Sequence, residues 1–564
     1  MSMHHYLLNS YIELSARERA QAMLDEGTFR ELLDPYQRIE SPHLLVQGIV
    51  PQSDDGVVVA RGMIDGHSAV VASVDGRFQG GGIGEVSGAK IAGALELALR
   101  DNRSGIPTRA VLLLETGGVR LQEGNYGLLA IAEIQAAIVA LREYQPVVCV
   151  FAGMIGCFGG MSIAAGLCSA IIMTRQGRLQ LNGPEVIEQE AGILELDTRD
   201  RRLIWSMSGG EQRYQTGLAD HLIDDDATRI RDAVNSVYRM QEKTIPRSSQ
   251  VERYLNRLSS LDAGERMTPD AWRQQCKRPN ETKKPTRELN LVSEAAISSR
   301  GRLFFNGLTE EEERIPTGTT TVLVADAWLE QERVRYITVV PDPVNRFERA
   351  RNGEVGLDEG WEIAASVRQA IAEDQDGEKR AIVAIVDVPG QAYGYREELI
   401  GIHLACAAAV DAYATARLAG HPVVALIVGQ AISGAFLAHG LQANRILALD
   451  DSGVAVQVMS KQSVARVTHR SIEELDVAAG KVAATAYDIR SFATLGALYS
   501  LLKDVRAHSP ESRDFKIVRS ALMDAITVAR ESTHDLSCRL QSVQARASRS
   551  LSILVRRKMA EQWN

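Results

Sequence analysis

Apolar residues run in short dense blocks separated by glycine turns. The longest block is Pro146–Thr174, PVVCVFAGMIGCFGGMSIAAGLCSAIIMT, which contains no Asp, Glu, Lys or Arg. A run of this length is either a membrane span, for which about 20 residues suffice, or a buried strand, a glycine turn and a buried helix. Upstream, Val46–Ala60 and Gly62–Val74 alternate loosely, which predicts two strands with turns at Asp54-Asp55-Gly56 and Asp65-Gly66. Helical spacing predicts a helix over Ala89–Asp101 and another through about Arg142, with the buried-type strand Arg109–Leu114 between them. Residues 8–33 read as short helices, with Ser15 and Glu18 spaced as a capping box. Leu179–Glu185 reads as a strand and turn, and a polar helical region follows to about residue 240. Residues 241–295 are polar, with Pro246, Pro269, Pro279 and Pro285, and predict a linker holding a short helix around Val251–Leu258. Strands resume at Thr319–Ala325 and Val334–Val340. The charged residues 505–564 predict helices that pack on the surface or on a partner.

The blocks repeat. Arg77-Phe78 and Gly84-Glu85-Val86 match Arg346-Phe347 and Gly353-Glu354-Val355 at one offset (346 − 77 = 269; 353 − 84 = 269). RAVLLLETGG from Arg109 matches RAIVAIVDVPG from Arg380, and Pro146-Val147-Val148 matches Pro422-Val423-Val424. Gly153, Gly160 and Gly166 match Gly429, Gly434 and Gly440. An ordered series of this kind marks a tandem of two similar domains. The predicted division is an N-domain over 1–245, a linker over 246–295, a C-domain over 296–504 and a helical segment over 505–564. The second copy of the apolar block carries Gln430, Ser433, His439, Gln442 and Asn444, so strand, turn and helix fit both copies, which weakens the reading as a membrane span.

Composition changes this picture little. The chain has 564 residues, 45% of them hydrophobic and 24% charged, enough for sizeable cores. A formal charge of −9 argues against a general nucleic-acid binder. The six cysteines form no CxxC and no zinc spacing, so no metal is expected. They read as reduced thiols of a cytoplasmic protein, and the N-terminus lacks the pattern of a signal peptide.

The glycines carry the candidate chemistry. The cluster Gly80-Gly81-Gly82 precedes a helix, but the third GxGxxG position is Glu85 and no GK[ST] follows, so a nucleotide loop is disfavoured. Gly81 and Gly82 are instead expected to order the entry of a bound acyl chain. In each domain one strand ends at a glycine turn (Gly117-Gly118; Gly390, followed by Gln391) and a later strand ends at another (Gly159-Gly160; Ser433-Gly434). Two such turns, each opening a helix, can aim backbone N–H groups at one point. That is the design of an oxyanion hole. With no GxSxG elbow and no Ser/His/Asp set, the expected chemistry is stabilisation of an enolate oxygen rather than nucleophilic attack. On this reading the turns at Gly117-Gly118 and Gly159-Gly160 hold a thioester oxygen. Those at Gly390 and Ser433-Gly434 hold a carboxylate. Tyr393, Tyr395, Glu397 and His403 are candidate proton donors, and Arg120 and Arg396 candidate partners of anionic groups.

At these residues the chain resembles the carboxyltransferase family of the crotonase-fold superfamily. TGGVRLQEG resembles the first oxyanion-hole turn of acetyl-CoA and propionyl-CoA carboxylases, GCFGGMSIAAG the second, and LNGPEVIEQ the segment after it. GQAISGAFLAHG resembles the matching turn of the partner domain. FQGGGIGEVSGAKIAGALELALRDN and PDPVNRFERARNGEVGLDEGW are similar to the beta and gamma subunits of malonate decarboxylases, here joined in one chain. The resemblance implies an α/β protein of two tandem crotonase-like (ββα superhelix) domains forming a pseudo-dimer, with a helical C-terminal segment and a site between the domains. It implies decarboxylation of a malonyl thioester on a separate acyl carrier protein, whose thiol belongs to a phosphoribosyl-dephospho-coenzyme A group, and no cofactor bound covalently to this chain. It implies a separate alpha subunit that exchanges acetyl for malonate on the carrier, and leaves a homo-oligomer open. A biotin-dependent acyl-CoA carboxyltransferase or decarboxylase, and a non-catalytic carrier-binding scaffold, are the alternatives. The chain lacks the four-cysteine zinc ribbon and the Met-Lys-Met biotin motif, which modestly favours the biotin-independent reading.

Overall fold

Each repeat folds around its own sheet. The computed structural model describes residues 9–240, 245–277, 297–310 and 312–564. The first sheet takes its seven strands in chain order: β1 Arg30–Leu32, β2 Val57–Ile64, β3 His67–Val74, β4 Arg109–Leu113, β5 Val147–Phe151, β6 Ala170–Thr174 and β7 His221–Ile223. β1–β3 are antiparallel and β3–β7 parallel. The second sheet runs β14-β12-β11-β10-β9-β8, with β13 on β11. Its strands are β8 Val322–Leu329, β9 Glu332–Val339, β10 Ala381–Val388, β11 Val423–Ile432, β12 Arg445–Leu449, β13 Ala455–Gln457 and β14 Ser500–Leu502. An antiparallel hairpin again opens onto parallel strands. β4, β5 and β6 are buried along their whole length, which accounts for their unbroken Val, Leu and Ile runs.

The helices that matter for the site are α1 Glu85–Arg103, α2 Asn125–Leu141, α3 Gly160–Leu167, α4 Pro184–Ala191, α5 Val251–Ser259, α6 Pro269–Lys277, α7 Leu357–Glu373, α8 Ile402–Leu418, α9 Ser433–Ala438, α10 Lys461–Thr468 and α11 Ser550–Glu561. The halves meet through α2 and α3 on one side and α8 and α9 on the other. Behind this contact lies a buried ionic cluster: Asp411 of α8 is paired with Arg142, accepts from Arg368 at 2.9 Å, and accepts the Ser248 hydroxyl at 2.7 Å.

The apolar block that opened the sequence reading forms β5, a glycine turn, α3 and β6. No helix among the described residues is long and apolar enough to cross a membrane. The repeat is real, but one of its matches is out of register. Gly84 caps α1 and Gly356 caps α7, and the isolated bridges Ile83–Val119 and Val355–Gln391 are equivalent (356 − 84 = 272; 391 − 119 = 272). The Gly-Glu-Val match at offset 269 is therefore displaced by three residues: Glu85-Val86 lie inside α1, while Gly353–Val355 precede α7.

Other expectations are corrected by packing. Residues 46–56 form turns rather than a strand. Leu179 joins only an isolated bridge, and Pro184 opens α4 immediately after. The described part of the stretch expected as a linker is packed: α5 covers the predicted short helix, Tyr254 stacks on Trp361 at 4.7 Å, and Trp272 of α6 is buried. The C-terminal segment returns to the first half. There α11 lies on α1, Arg549 pairs with buried Glu133 at 2.6 Å, and Trp563 donates to Asp101 at 2.8 Å.

Candidate functional site between the two halves

The turns after β4 and β5 abut. A Cβ on Gly118 would lie 3.1 Å from Gly159 Cα, and both residues have positive φ (100° and 58°), so only glycine fits either position without strain. Gly117 and Gly159 line a cleft of about 790 Å³ together with Val119, Gly160, Leu181 and Asn182. The opposite wall is Gln391, Tyr393, Ser433, Gly434 and Leu437 from the second half, with Val458, Met459, Val467 and Thr468 at its rim. The halves touch at the turns themselves. A Cβ on Gly160 would sit 2.6 Å from Leu437 Cδ1, and one on Gly434 would sit 3.3 Å from Ile163 Cδ1 and 3.4 Å from Leu181 Cδ1.

Of the four glycine amides read in the sequence, three are engaged. Gly117 N–H donates to Gly80 O at 2.8 Å, Gly118 N–H to Thr116 Oγ1 at 3.0 Å and Gly159 N–H to Leu181 O at 2.9 Å. These amides are engaged within the fold. The next residue along is open in each turn. Ile83 N–H donates to Gly118 O and Arg120 N–H to Ile83 O, a parallel bridge that points the intervening Val119 N–H away, without an acceptor among the described residues. Gly160 is the first residue of α3, where N–H groups have no partner within the helix. The open pair is thus Val119 and Gly160, backed by the N-terminal end of α3.

The second half repeats the backbone, with one of its two amides capped by a side chain. Val355 N–H donates to Gly390 O and Ala392 N–H to Val355 O, so Gln391 is placed as Val119 is. Gly434 stands where Gly160 does, but its N–H donates to the Gln391 side chain, Oε1, at 2.9 Å. Gln391 Nε2 donates to Asn182 Oδ1 at 2.7 Å. Asn182 is held in turn by buried Glu398, which accepts from Asn182 N at 2.6 Å, from Asn182 Nδ2 at 2.9 Å and from Leu181 N at 3.0 Å. Burial pushes the Glu398 carboxyl up to about 7. At the expected second hole, Gly390 and Ser433-Gly434, the Gly434 amide is therefore capped, while Gln391 N–H has no acceptor among the described residues.

Of the candidate proton donors, only Tyr393 lines the cleft. Burial pushes its phenol well up, and a hydrogen bond with Ser433 opposes the shift. His403 sits at the start of α8, away from the cleft lining, and burial holds it well below the usual imidazole range. Tyr395 stacks under Arg266, and Glu397 is enclosed at the start of the second half's helical layer. Arg120 is among the residues lining the cleft, but it is buried and held 2.7 Å from Asp55 Oδ1 and 2.6 Å from Glu123 Oε2. Arg396 donates to the carbonyls of Ala263 and Glu265, outside the cleft. Gly82 lines the cleft. Gly81 is buried behind it, where a Cβ would collide with the Glu115 carbonyl, so its absence of a side chain serves packing.

Sequence reasoning missed Val119, Asn182, Glu398 and Arg178. Arg178 lines the cleft mouth, stacked on Phe158 and Trp205, and donates to the Met154 and Ile155 carbonyls. It makes no ion pair among the described residues, and burial lowers its pKa. The described residues contain no cluster that could hold a metal ion.

Residues 350–563 match the family described as malonate decarboxylase gamma subunit. The chain is 38% identical over 280 residues to the malonyl-S-ACP:biotin-protein carboxyltransferase MADC of Malonomonas rubra, covering 47% of this chain and 88% of that protein. It is 40% identical over 164 residues to MADD of the same organism, which bears the same description; that match covers 28% of this chain and 56% of MADD. A chain of a Pseudomonas malonate decarboxylase hetero-tetramer, solved in complex with malonate, is 60% identical and covers 49% of this chain and 100% of that one, with a TM-score of 0.47.

Proposed function

The chain belongs to the carboxyltransferase family of malonate decarboxylase subunits, with beta-like and gamma-like halves in one polypeptide, and from that premise we propose that it decarboxylates a malonyl thioester carried on an acyl carrier protein. The observation that carries this reading is the pair of open amides, Val119 and Gly160, at a cleft built by both halves. Loss of carbon dioxide breaks the bond between the carboxyl carbon and C2. The electron pair passes into an enolate whose charge collects on the thioester oxygen. Donors fixed at that oxygen lower the barrier because they act where charge develops. C2 then takes one proton, giving the acetyl thioester.

Tyr393 is the donor we assign to that proton, directly or through water. It faces the cleft and stays protonated across the working range. The cleft's length and mixed lining suit a thioester on a long flexible arm. The arm we assign is the phosphoribosyl-dephospho-coenzyme A group of the carrier, with Arg178 at the mouth placed for its anionic part. A separate alpha subunit would reload malonate, in keeping with the hetero-tetramer named for the Pseudomonas protein.

The printed activity of MADC and MADD supports a second reading, in which the carboxyl group passes to biotin on a protein. One experiment separates the readings. Purified chain is mixed with malonyl-carrier labelled in the carboxyl group, with and without a biotin carrier, and acetyl-carrier and carbon dioxide are followed. Stoichiometric release without biotin supports decarboxylation. Turnover only with the biotin carrier supports transfer, and binding without turnover in either arm supports a scaffold.

A further inference from the structure

The two halves present the same backbone at the cleft but different side chains at one equivalent position. In the first turn the residue is Val119, which has no polar atom to reach the neighbouring amide. In the second it is Gln391, whose Oε1 accepts from Gly434 N–H at 2.9 Å. The cap is held from behind: Gln391 Nε2 to Asn182, then Asn182 and Leu181 to Glu398, all buried. Leu181 also gives its carbonyl to Gly159 N–H, next to the open Gly160 amide. One chain of hydrogen bonds therefore keeps the Gly434 amide of the second turn capped and braces the first turn.

We propose that Gln391 is a specificity-determining cap: its side chain occupies one of the second turn's two donors, Gly434 N–H, so the cleft offers two fixed amides to the thioester oxygen and only one, Gln391 N–H, to the carboxylate. The inference rests on the malonyl-thioester reading and deepens it. Decarboxylation moves negative charge off the carboxylate and onto the enolate oxygen, and the carboxylate leaves as neutral carbon dioxide. A donor bound tightly to the carboxylate stabilises the substrate more than the transition state, which tightens binding and slows the reaction. A donor at the thioester oxygen does the reverse. The same turn is useful in one copy and harmful in the other, and one glutamine makes the difference.

The test copies the first turn into the second. Gln391→Val frees Gly434 N–H, and Gln391→Met does so with less change in shape should the valine variant not fold. With the malonyl-carrier as substrate, KM and kcat are both expected to fall, KM by threefold or more and kcat by tenfold or more. Free malonate, measured by calorimetry, should bind at least threefold more tightly than to the wild-type chain. A fall in kcat with KM and malonate affinity unchanged or weakened would overturn the proposal, since that is the pattern of a merely structural residue. Unchanged kinetics would overturn it as well. Malonate affinity is read without turnover. A wild-type chain that does not decarboxylate would therefore count against the function proposed above, while the cap is still decided by the binding comparison.

Discussion

Replacing Gly160 by proline removes one N–H and little else, because proline is favoured at the first position of a helix, where the amide has no intrahelical partner. Gly160 is that position in α3. The preceding residue is usually restricted by proline, but Gly159 (φ 58°, ψ −148°) has no Cβ to clash. What the substitution does add is a Cβ, 2.6 Å from Leu437 Cδ1 and 3.0 Å from Ile131 Cγ2. Overpacking of this kind costs about 1–3 kcal/mol, and Gly160→Ala carries the same atom with the N–H retained. The ratio of kcat between the alanine and proline variants therefore isolates the amide. Losing one donor of an oxyanion hole costs roughly 10²–10³ in kcat, about 2.7–4 kcal/mol. Val119 N–H remains, so residual turnover is expected. Release of labelled carbon dioxide from malonyl-carrier gives kcat, and thermal unfolding confirms that both variants fold. If the proline variant turns over within threefold of the alanine variant, Gly160 N–H does not hold the developing charge.

Tyr393→Phe should lower kcat by about 10²-fold, the low end for loss of a general acid, with KM changed little; turnover within twofold of wild type places the proton donor elsewhere. Trp563→Ala should cost about 3–5 kcal/mol, as for deletion of a buried aromatic, since Trp563 is fully buried and bonded to Asp101; a shift in denaturant midpoint of under 1 kcal/mol would mean that the C-terminal strap adds nothing to stability. Burial, more than any neighbouring charge, pushes Glu397 up to about 7, above its unfolded value of about 4.3. Its folded form thus binds the proton more tightly, and the stability it contributes is complete below about pH 4 and lost as pH rises through about 7. Glu397→Gln should flatten the fall in unfolding free energy between pH 5 and 8, and an unaltered slope would show that Glu397 does not titrate in that window.

The strand–turn–helix units were legible because hydrophobic burial writes itself into local sequence: unbroken Val, Leu and Ile runs became β4, β5 and β10, and the repeat located the two halves. The glycine turns were legible for the same reason, since positive φ leaves few alternatives at Gly118 and Gly159. Which amide of each turn is open was not. In an extended segment successive N–H groups point to opposite sides, so the open donor depends on which residue bridges Ile83, and that is a contact between separate stretches. A glycine-by-glycine reading put the donors at Gly117, Gly118, Gly159 and Gly160; the first three are engaged elsewhere, and the open partner of Gly160 is Val119. The surroundings of Arg120 and His403 were hidden on similar grounds. Their chemistry suggested a site, while Asp55 and Glu123 enclose the first and α8 buries the second. Glu398 was illegible altogether, because its partners Leu181 and Asn182 lie 217 and 216 residues away in sequence.

These distant contacts explain why the site depends on how the halves are held together. Productive orientation is lost with errors of about 1 Å, and here the open amide at Gly160 lies against Leu437 of the other half while Gly434 lies against Ile163 and Leu181. The two turns are thus each other's packing surface, and slack between the halves would loosen both. Three ties oppose it from different directions: Asp411 with Arg142 and Arg368 behind the cleft, Glu398 with Asn182 beside it, and Glu133 with Arg549 and Arg556 on the far side. Each buries a carboxyl group, and in the two ion pairs removing one partner typically costs about 3–5 kcal/mol because the other charge is left unpaired. Such ties are poor sources of net stability but strong penalties on any arrangement that breaks them. They fix one relative placement of the halves rather than merely joining them, as a site made of two opposed backbone turns requires.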